Sequence, residues 1–153
     1  INHPEVHYNI EIKSLDSTDN LYHPSPGEFA ELLMKVIIGK KINDRVIIQS
    51  FDKRSLQVMR KNYPTMKLSF LIDERDTISL KQYRQLLGFK PDIISPDYSL
   101  LNPQIIDALH DQDILVIPWT VDDLETARKL YKWGVDGIIT DFLDRISINT
   151  LKE

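Results

Sequence analysis

Glu11 and Lys13 stand two residues apart in "HYNIEIKS", residues 7–14. Ile10 and Ile12 alternate there with Asn9, Glu11 and Lys13, which predicts a strand. Side chains at i and i+2 of a strand share a face, so the acid and the ammonium project together while the isoleucines face the other way. A carboxylate beside an ammonium at a strand end can hold a divalent cation next to an anion. Carboxylate oxygens suit Mg²⁺ or Ca²⁺, and lysine serves as a point charge for phosphate. The same pair would also make a salt bridge on a solvated sheet face, and residue types leave both readings open.

What could position such a pair is legible in the rest of the chain. After the opening strand, "LDSTDNLYHPSPGEF" reads as loop, and a helix is predicted from near Pro26 through "GEFAELLMKVIIGKK". "RVIIQSF" reads as a buried strand, with Asp52 capping the helix "KRSLQVMRKNY" that Pro64 ends. "KLSFLID" is a strand, "ISLKQYRQLLG" a helix stopped by Gly88, and "DIISPD" a short strand ending at Pro96. Asn102 followed by Pro103 starts the helix "NPQIIDALHDQD". "ILVIPWTV" is a strand, "DDLETARKLYKWG" a helix closed by Gly134, "GIITDF" a sixth strand, and "LDRISINTLKE" a short terminal helix. Strands alternating with helices predict an α/β fold with a parallel sheet.

In parallel α/β proteins, functional groups gather at the C-terminal strand ends. That rule selects Glu11 and Lys13, Ser50 and Phe51, Asp73, Asp97, Trp119 and Thr120, and Asp141. Trp119 suits either a pocket wall or an aromatic plug in the core. Trp133 reads as packing, and "DERD" at 73–76 as a solvated turn. Asp141 reads equally as a cap for the terminal helix, and neither it nor Ser50 is assigned a catalytic role.

Length and composition exclude several classes. With 153 residues, 42% of them hydrophobic and 27% charged, the chain can form one domain with a core and is not disordered. Its net charge of −4, with scattered basic residues, argues against a nucleic-acid footprint. No apolar run approaches the roughly 20 residues of a membrane span. Without cysteine there are neither disulfides nor thiolate metal sites.

"NIEIKS", "VIIQSFD", "VIPWTVD" and "GVDGIITDF", in that order, resemble the glycerophosphodiester phosphodiesterase family over almost the whole chain. The resemblance implies a TIM (β/α)8 barrel that hydrolyses glycerophosphodiesters to glycerol 3-phosphate and an alcohol, using a divalent cation (Ca²⁺ or Mg²⁺). It implies that Glu11 ligates the metal, that Lys13 contacts the substrate phosphate, and that Trp119 lines the pocket for the glycerol or alcohol end. Where the family usually has Asn after W-T-V, this chain has Asp122, expected to cap the following helix rather than to alter the pocket rim.

A larger departure concerns the family's H-R, P-E-N, E-x-D and H-D motifs, which precede this region and do not occur here. The catalytic histidines of the family are therefore missing. "HDQD" at His110 lies at a helix end, out of order, and reads as surface. His3, His7 and His23 are placed no better. Six of eight strand–helix units are present, so the expectation is an incomplete TIM barrel, residues 1–153 forming one domain that lacks the first two βα units. The chain begins at Ile1 rather than Met and shows no signal peptide. It is expected to be the C-terminal portion of a phosphodiesterase, or a short homologue that completes its sheet with another copy or another protein. A non-catalytic barrel that binds a glycerophosphodiester or a protein partner is the alternative, and a sphingomyelinase-type phospholipase D a more distant one. The resemblance allows export; the residues themselves do not reveal a compartment.

Overall fold

The computed structural model describes residues 5–75, 82–146 and 151. The chain alternates β1 (Tyr8–Glu11), α1 (Pro26–Lys40), β2 (Val46–Ser50), α2 (Lys53–Asn62), β3 (Lys67–Ile72), α3 (Tyr83–Leu87), β4 (Ile93–Pro96), α4 (Pro103–His110), β5 (Leu115–Val116) and α5 (Leu124–Lys132). The strands form one sheet in sequence order, β1-β2-β3-β4-β5. Parallel pairing sets Glu11 opposite Gln49, Gln49 opposite Ser69 and Ile94 opposite Val116. The α/β class and parallel sheet expected from the alternation are therefore present.

Two compact units divide the chain, Ile1–Phe70 with Lys81–Pro91, and Leu71–Leu80 with Asp92–Glu153. In the first, one strand face of β2 and β3 buries Val46, Ile48, Leu68 and Phe70, all at most 4% exposed. Each such side chain contributes roughly 1.5–3 kcal/mol by leaving water. Helix α1 begins with Ser25 accepting from Glu28 N–H and Pro26 in the first turn. It buries Ala30, Met34 and Ile37, at spacings of four and three. Leu32, Val36 and Ile38 remain exposed on the same helix. Helix α2 begins at Asp52, whose side chain accepts from Arg54 N–H at 2.9 Å. Gly88 ends α3 at φ 75°, its N–H donating to Arg84 C=O at 2.8 Å. The start of the helix expected there falls on residues outside those described.

In the second unit, Ile93, Ile94, Ile106, Val116 and Ala127 are at most 1% exposed. Asn102 caps α4 as expected, accepting from Ile105 N–H at 3.0 Å, with Pro103 in the first turn. Strand β5 is shorter as a regular element than "ILVIPWTV" predicts, although Ile117 N–H to Ile94 C=O and Trp119 N–H to Pro96 C=O carry its bonding to β4 past Pro118. The sixth expected strand is a correction as well. Residues 136–139 are bonded alongside this segment by Asp136 N–H to Val116 C=O, Ile139 N–H to Pro118 C=O and Val121 N–H to Ile139 C=O, yet form no regular strand. Most of the expected terminal helix lies outside the described residues. Among the described residues, no helix is long and apolar enough to cross a membrane.

Candidate functional site

Strand β1 delivers Glu11 as its last residue and Lys13 just beyond it. Ile12 N–H still donates to Gln49 C=O at 2.9 Å, so the ladder extends one residue past the strand. Ile12 is buried at 1% exposure, Glu11 is half-buried and Lys13 is exposed, which realises the predicted alternation. Opposite Glu11 stands Gln49, whose side-chain carbonyl accepts from Asn9 Nδ2 at 2.8 Å. The row Asn9, Glu11 and Gln49 thus gives this strand end a polar face.

The salt-bridge reading of Glu11 and Lys13 is not realised. Among the described residues neither makes an ion pair. Glu11 Oε1 is buried and has no hydrogen-bond partner. A buried carboxylate oxygen without a partner costs roughly 1–3 kcal/mol or more, so such an atom calls for an ion, a water or a ligand. A hard cation supplies that need, and a Glu carboxylate suits it. Six or more oxygens complete the shell of Ca²⁺, however. Among the described residues no group of three or more His, Asp or Glu side chains gathers to hold a metal. Glu11 thus fits as a single oxygen ligand and does not by itself make a metal site.

The segment carrying Lys13 is held by the turn between β2 and α2. Ser50, fully buried, donates its hydroxyl to Ile12 C=O at 2.7 Å and accepts from Asp52 N–H at 3.0 Å. Ser14 donates to Asp52 Oδ2 at 2.9 Å. Arg54 binds Asp52 through Nη2 at 2.6 Å and reaches Asp16 at 2.6 Å and Asp19 at 2.7 Å through Nη1. Burial pushes the Asp52 carboxyl up, but hydrogen bonds from the Arg54 side chain and backbone and from Ser14 outweigh it, leaving its pKa below the ordinary value. Those bonds in turn raise the guanidinium pKa.

His23 organises the loop that follows. Its Nε2 accepts from Leu15 N–H at 2.9 Å, and its Nδ1 donates to Pro24 C=O at 2.9 Å. A carbonyl only accepts, so the proton resides on Nδ1. This role was invisible in the sequence, as was the Arg54 network, because their partners come from distant or irregular segments.

Beyond the end of β5, Trp119 is half-buried and its indole N–H donates to Ser95 C=O at 2.8 Å. Backbone bonds from Trp119 N–H to Pro96 C=O and from Tyr98 N–H to Trp119 C=O fix its main chain. Trp119 is thus a braced ring at a strand end of the second unit, while Glu11 and Lys13 share one strand end of the first. Asp97 accepts from Ser99 N–H at 2.8 Å and closes a turn. Asp73 is bonded by Arg75 through Nε at 2.8 Å, which holds its carboxyl well below the usual carboxylate range.

Asp122 does not cap α5. Asp123 does, accepting from Thr126 N–H at 2.8 Å, whereas Asp122 Oδ1 accepts from Asp141 N–H at 3.0 Å and Thr140 Oγ1 at 3.2 Å. The carboxylate nearest the helix thus takes its first-turn N–H, and its neighbour pins residues 140–141. His110 ends α4 at the surface, as read, and places Nε2 2.9 Å from Asp136 Oδ2. His7 is exposed ahead of β1, at the opposite end of the strand from Lys13, and His3 lies outside the described residues.

A parallel α/β sheet bearing an acid and an ammonium at one strand end is the class these features define. The chain belongs to the glycerophosphoryl diester phosphodiesterase family, whose model matches residues 1–145. It is 34% identical over 133 residues to a glycerophosphodiester phosphodiesterase of Caldanaerobacter subterraneus subsp. tengcongensis, covering 87% of this chain and 51% of that protein. A solved glycerophosphodiester phosphodiesterase from Parabacteroides distasonis ATCC 8503 superposes with a TM-score of 0.76 at 21% identity, over 97% of this chain and 57% of that one. An Oleispira antarctica phosphodiesterase, solved with the product sn-glycerol-3-phosphate, gives 0.78 at 16% identity, over 96% and 56%. The chain spans about half the length of the curated relatives it matches.

Proposed function

We propose that this chain is the C-terminal part of a metal-dependent barrel enzyme that hydrolyses glycerophosphodiesters to glycerol 3-phosphate and an alcohol. The observation that carries the reading is the buried Oε1 of Glu11, without a hydrogen-bond partner among the described residues, two positions before an exposed lysine at the same strand end. Family membership and the product bound in the Oleispira structure support the substrate class.

Glu11 would be one oxygen ligand of Ca²⁺ or Mg²⁺. When bound, the cation offsets phosphate charge and lowers the pKa of an attacking hydroxyl. Lys13 holds the phosphate as a point charge, free to do so because no neighbouring carboxylate among the described residues captures it. The family resemblance alone assigns Trp119 to the glycerol or alcohol end. Proton transfer to the leaving group falls to a histidine outside this sequence. Neither His23, engaged through both ring nitrogens, nor His110, bonded to Asp136, serves that role.

By itself the 153-residue chain should not turn over glycerophosphocholine. Turnover that copurifies with the chain through several orthogonal columns would overturn the assignment of missing catalytic groups. The substrate reading is tested by titrating sn-glycerol 3-phosphate into the chain with and without Ca²⁺ and following amide shifts. Lys13→Ala should weaken the response strongly without erasing it, and Glu11→Gln should remove its Ca²⁺ dependence. A response identical in both variants would end the case.

A second reading is a non-catalytic barrel that binds the phosphodiester or a protein partner. It predicts ligand binding that needs no cation. Exposed Leu32, Val36 and Ile38 on α1 support association with further chain, either another copy or a preceding segment. Sedimentation of the chain as a cooperatively unfolding monomer would count against that part.

A further inference from the structure

We propose that Ser50, Ser14 and Asp52, with Arg54 behind them, are positioning residues that fix the main chain on both sides of Lys13. The proposal rests on the reading of Lys13 as the phosphate contact, and it assigns these residues to holding that ammonium rather than to touching substrate.

Both neighbours of Lys13 are gripped from the β2–α2 turn. On one side Ile12 C=O receives the Ser50 hydroxyl at 2.7 Å. On the other, Ser14 Oγ donates to Asp52 Oδ2 at 2.9 Å and lies 3.0 Å from the hydroxyl of fully buried Ser55. Ser50 occupies a core position beside Ile48 and Val46, where a valine or alanine would pack without any need for a partner. Its hydroxyl is used twice, since it also receives Asp52 N–H at 3.0 Å, so β1 and the start of α2 are tied through one oxygen.

Asp52 is anchored in its turn. Its Oδ1 accepts from Arg54 N–H at 2.9 Å and from Nε at 3.1 Å, and its Oδ2 from Nη2 at 2.6 Å. That leaves Oδ2 aimed at Ser14. The remaining capacity of the guanidinium goes to Asp16 and Asp19, so the loop leaving Ser14 is fastened to the same anchor. The side chain of Lys13 is exposed between these fixed points, and none of the clamp atoms is spent on it. A charged side chain on a four-carbon stem has about 2 kcal/mol of rotamer entropy to lose. Fixing its backbone confines the region that the ammonium searches, which is the part of positioning a protein can supply before the ligand arrives.

The test uses the chain, inorganic phosphate as the probe, amide hydrogen exchange at the hydrogen-bonded Ile12 and Asp52 N–H groups, and melting curves. Ser50→Ala and Ser14→Ala should each speed exchange at those two amides and weaken phosphate binding about fivefold, the equivalent of one hydrogen bond. Ser14 is only half-buried, so Ser14→Ala remains informative if Ser50→Ala fails to fold. In a Lys13→Ala background the same substitutions should change residual phosphate shifts no further. Exchange at residues 12 and 52 that stays at the wild-type rate in Ser14→Ala overturns the clamp. So does a fivefold loss that persists in the Lys13→Ala background, because the clamp would then act on something other than Lys13. If Lys13→Ala leaves the phosphate response intact, the phosphate reading falls and takes the proposal with it, and the exchange data tell that failure apart from a missing clamp.

Discussion

The indole N–H of Trp119 donates to the carbonyl of Ser95 over 2.8 Å, which pins one edge of the ring to the backbone of β4. Ser95 itself is 1% exposed, so the anchored edge faces the interior while the half-buried ring retains an accessible face. A pocket wall and a core plug then differ in what truncation of the ring costs. Trp119→Phe should cost about 1 kcal/mol, one hydrogen bond, in urea unfolding. Trp119→Ala should cost less than the roughly 3–5 kcal/mol of a fully buried aromatic. A loss at or above that range would show the ring to be a plug.

Acid should act on the clamp in a defined window. The folded-state pKa of Asp52 is depressed below the ordinary carboxylate value by its Arg54 and Ser14 bonds. A depressed carboxylate contributes stability that is fully present above its unfolded pKa, about 3.9, and is lost as pH falls through the lower folded value. The stability difference between wild type and Asp52→Asn should therefore be flat from neutral pH to about pH 5 and shrink below about pH 4. Chemical denaturation at a series of pH values reads this directly, and a gap that closes near neutrality would contradict it.

Adjacent aspartates at 122 and 123 should respond differently. Asp123→Ala removes the cap that accepts Thr126 N–H and should destabilise by about 1 kcal/mol. Asp122→Asn keeps an oxygen for Asp141 N–H and Thr140 Oγ1 and should be nearly neutral, whereas Asp122→Ala should loosen residues 140–141. Thermal melts of the three variants, with exchange at the Asp141 amide, make the comparison.

Gly88 offers a test of backbone conformation alone. Its φ is 75°, and a Cβ built there would meet nothing within 4 Å. Gly88→Ala should thus cost about 1 kcal/mol through left-handed strain without any clash. A cost several times larger would mean that the end of α3 is packed more tightly than the structure shows.

Much of this was legible in local sequence. Asn102 before Pro103, Asp52 before α2 and Gly88 after α3 are signals spanning two to four residues, and each behaves as read. Alternation in "NIEIKS" placed Ile12 inside and Lys13 outside. Where reading failed, the deciding interaction lay elsewhere. The apolar runs around Pro118 and at 137–142 read as full strands, yet β5 is regular over two residues only and residues 136–139 are bonded but irregular. Two consecutive aspartates are the same by type, and only the start of α5 decides which one caps it. His110 finds Asp136 across 26 residues, and Arg54 finds Asp16 and Asp19 across 38 and 35. No periodicity reports pairings of that range.

The grip on Ile12 is made through its carbonyl, a group that every amino acid possesses, and the exposed Lys13 side chain bonds to none of the gripping atoms. Position 13 is therefore a socket whose contents can be exchanged without disturbing its walls. Arginine, glutamine or a shortened amine installed there would ask a purely chemical question about charge and reach, with the scaffold as a constant background.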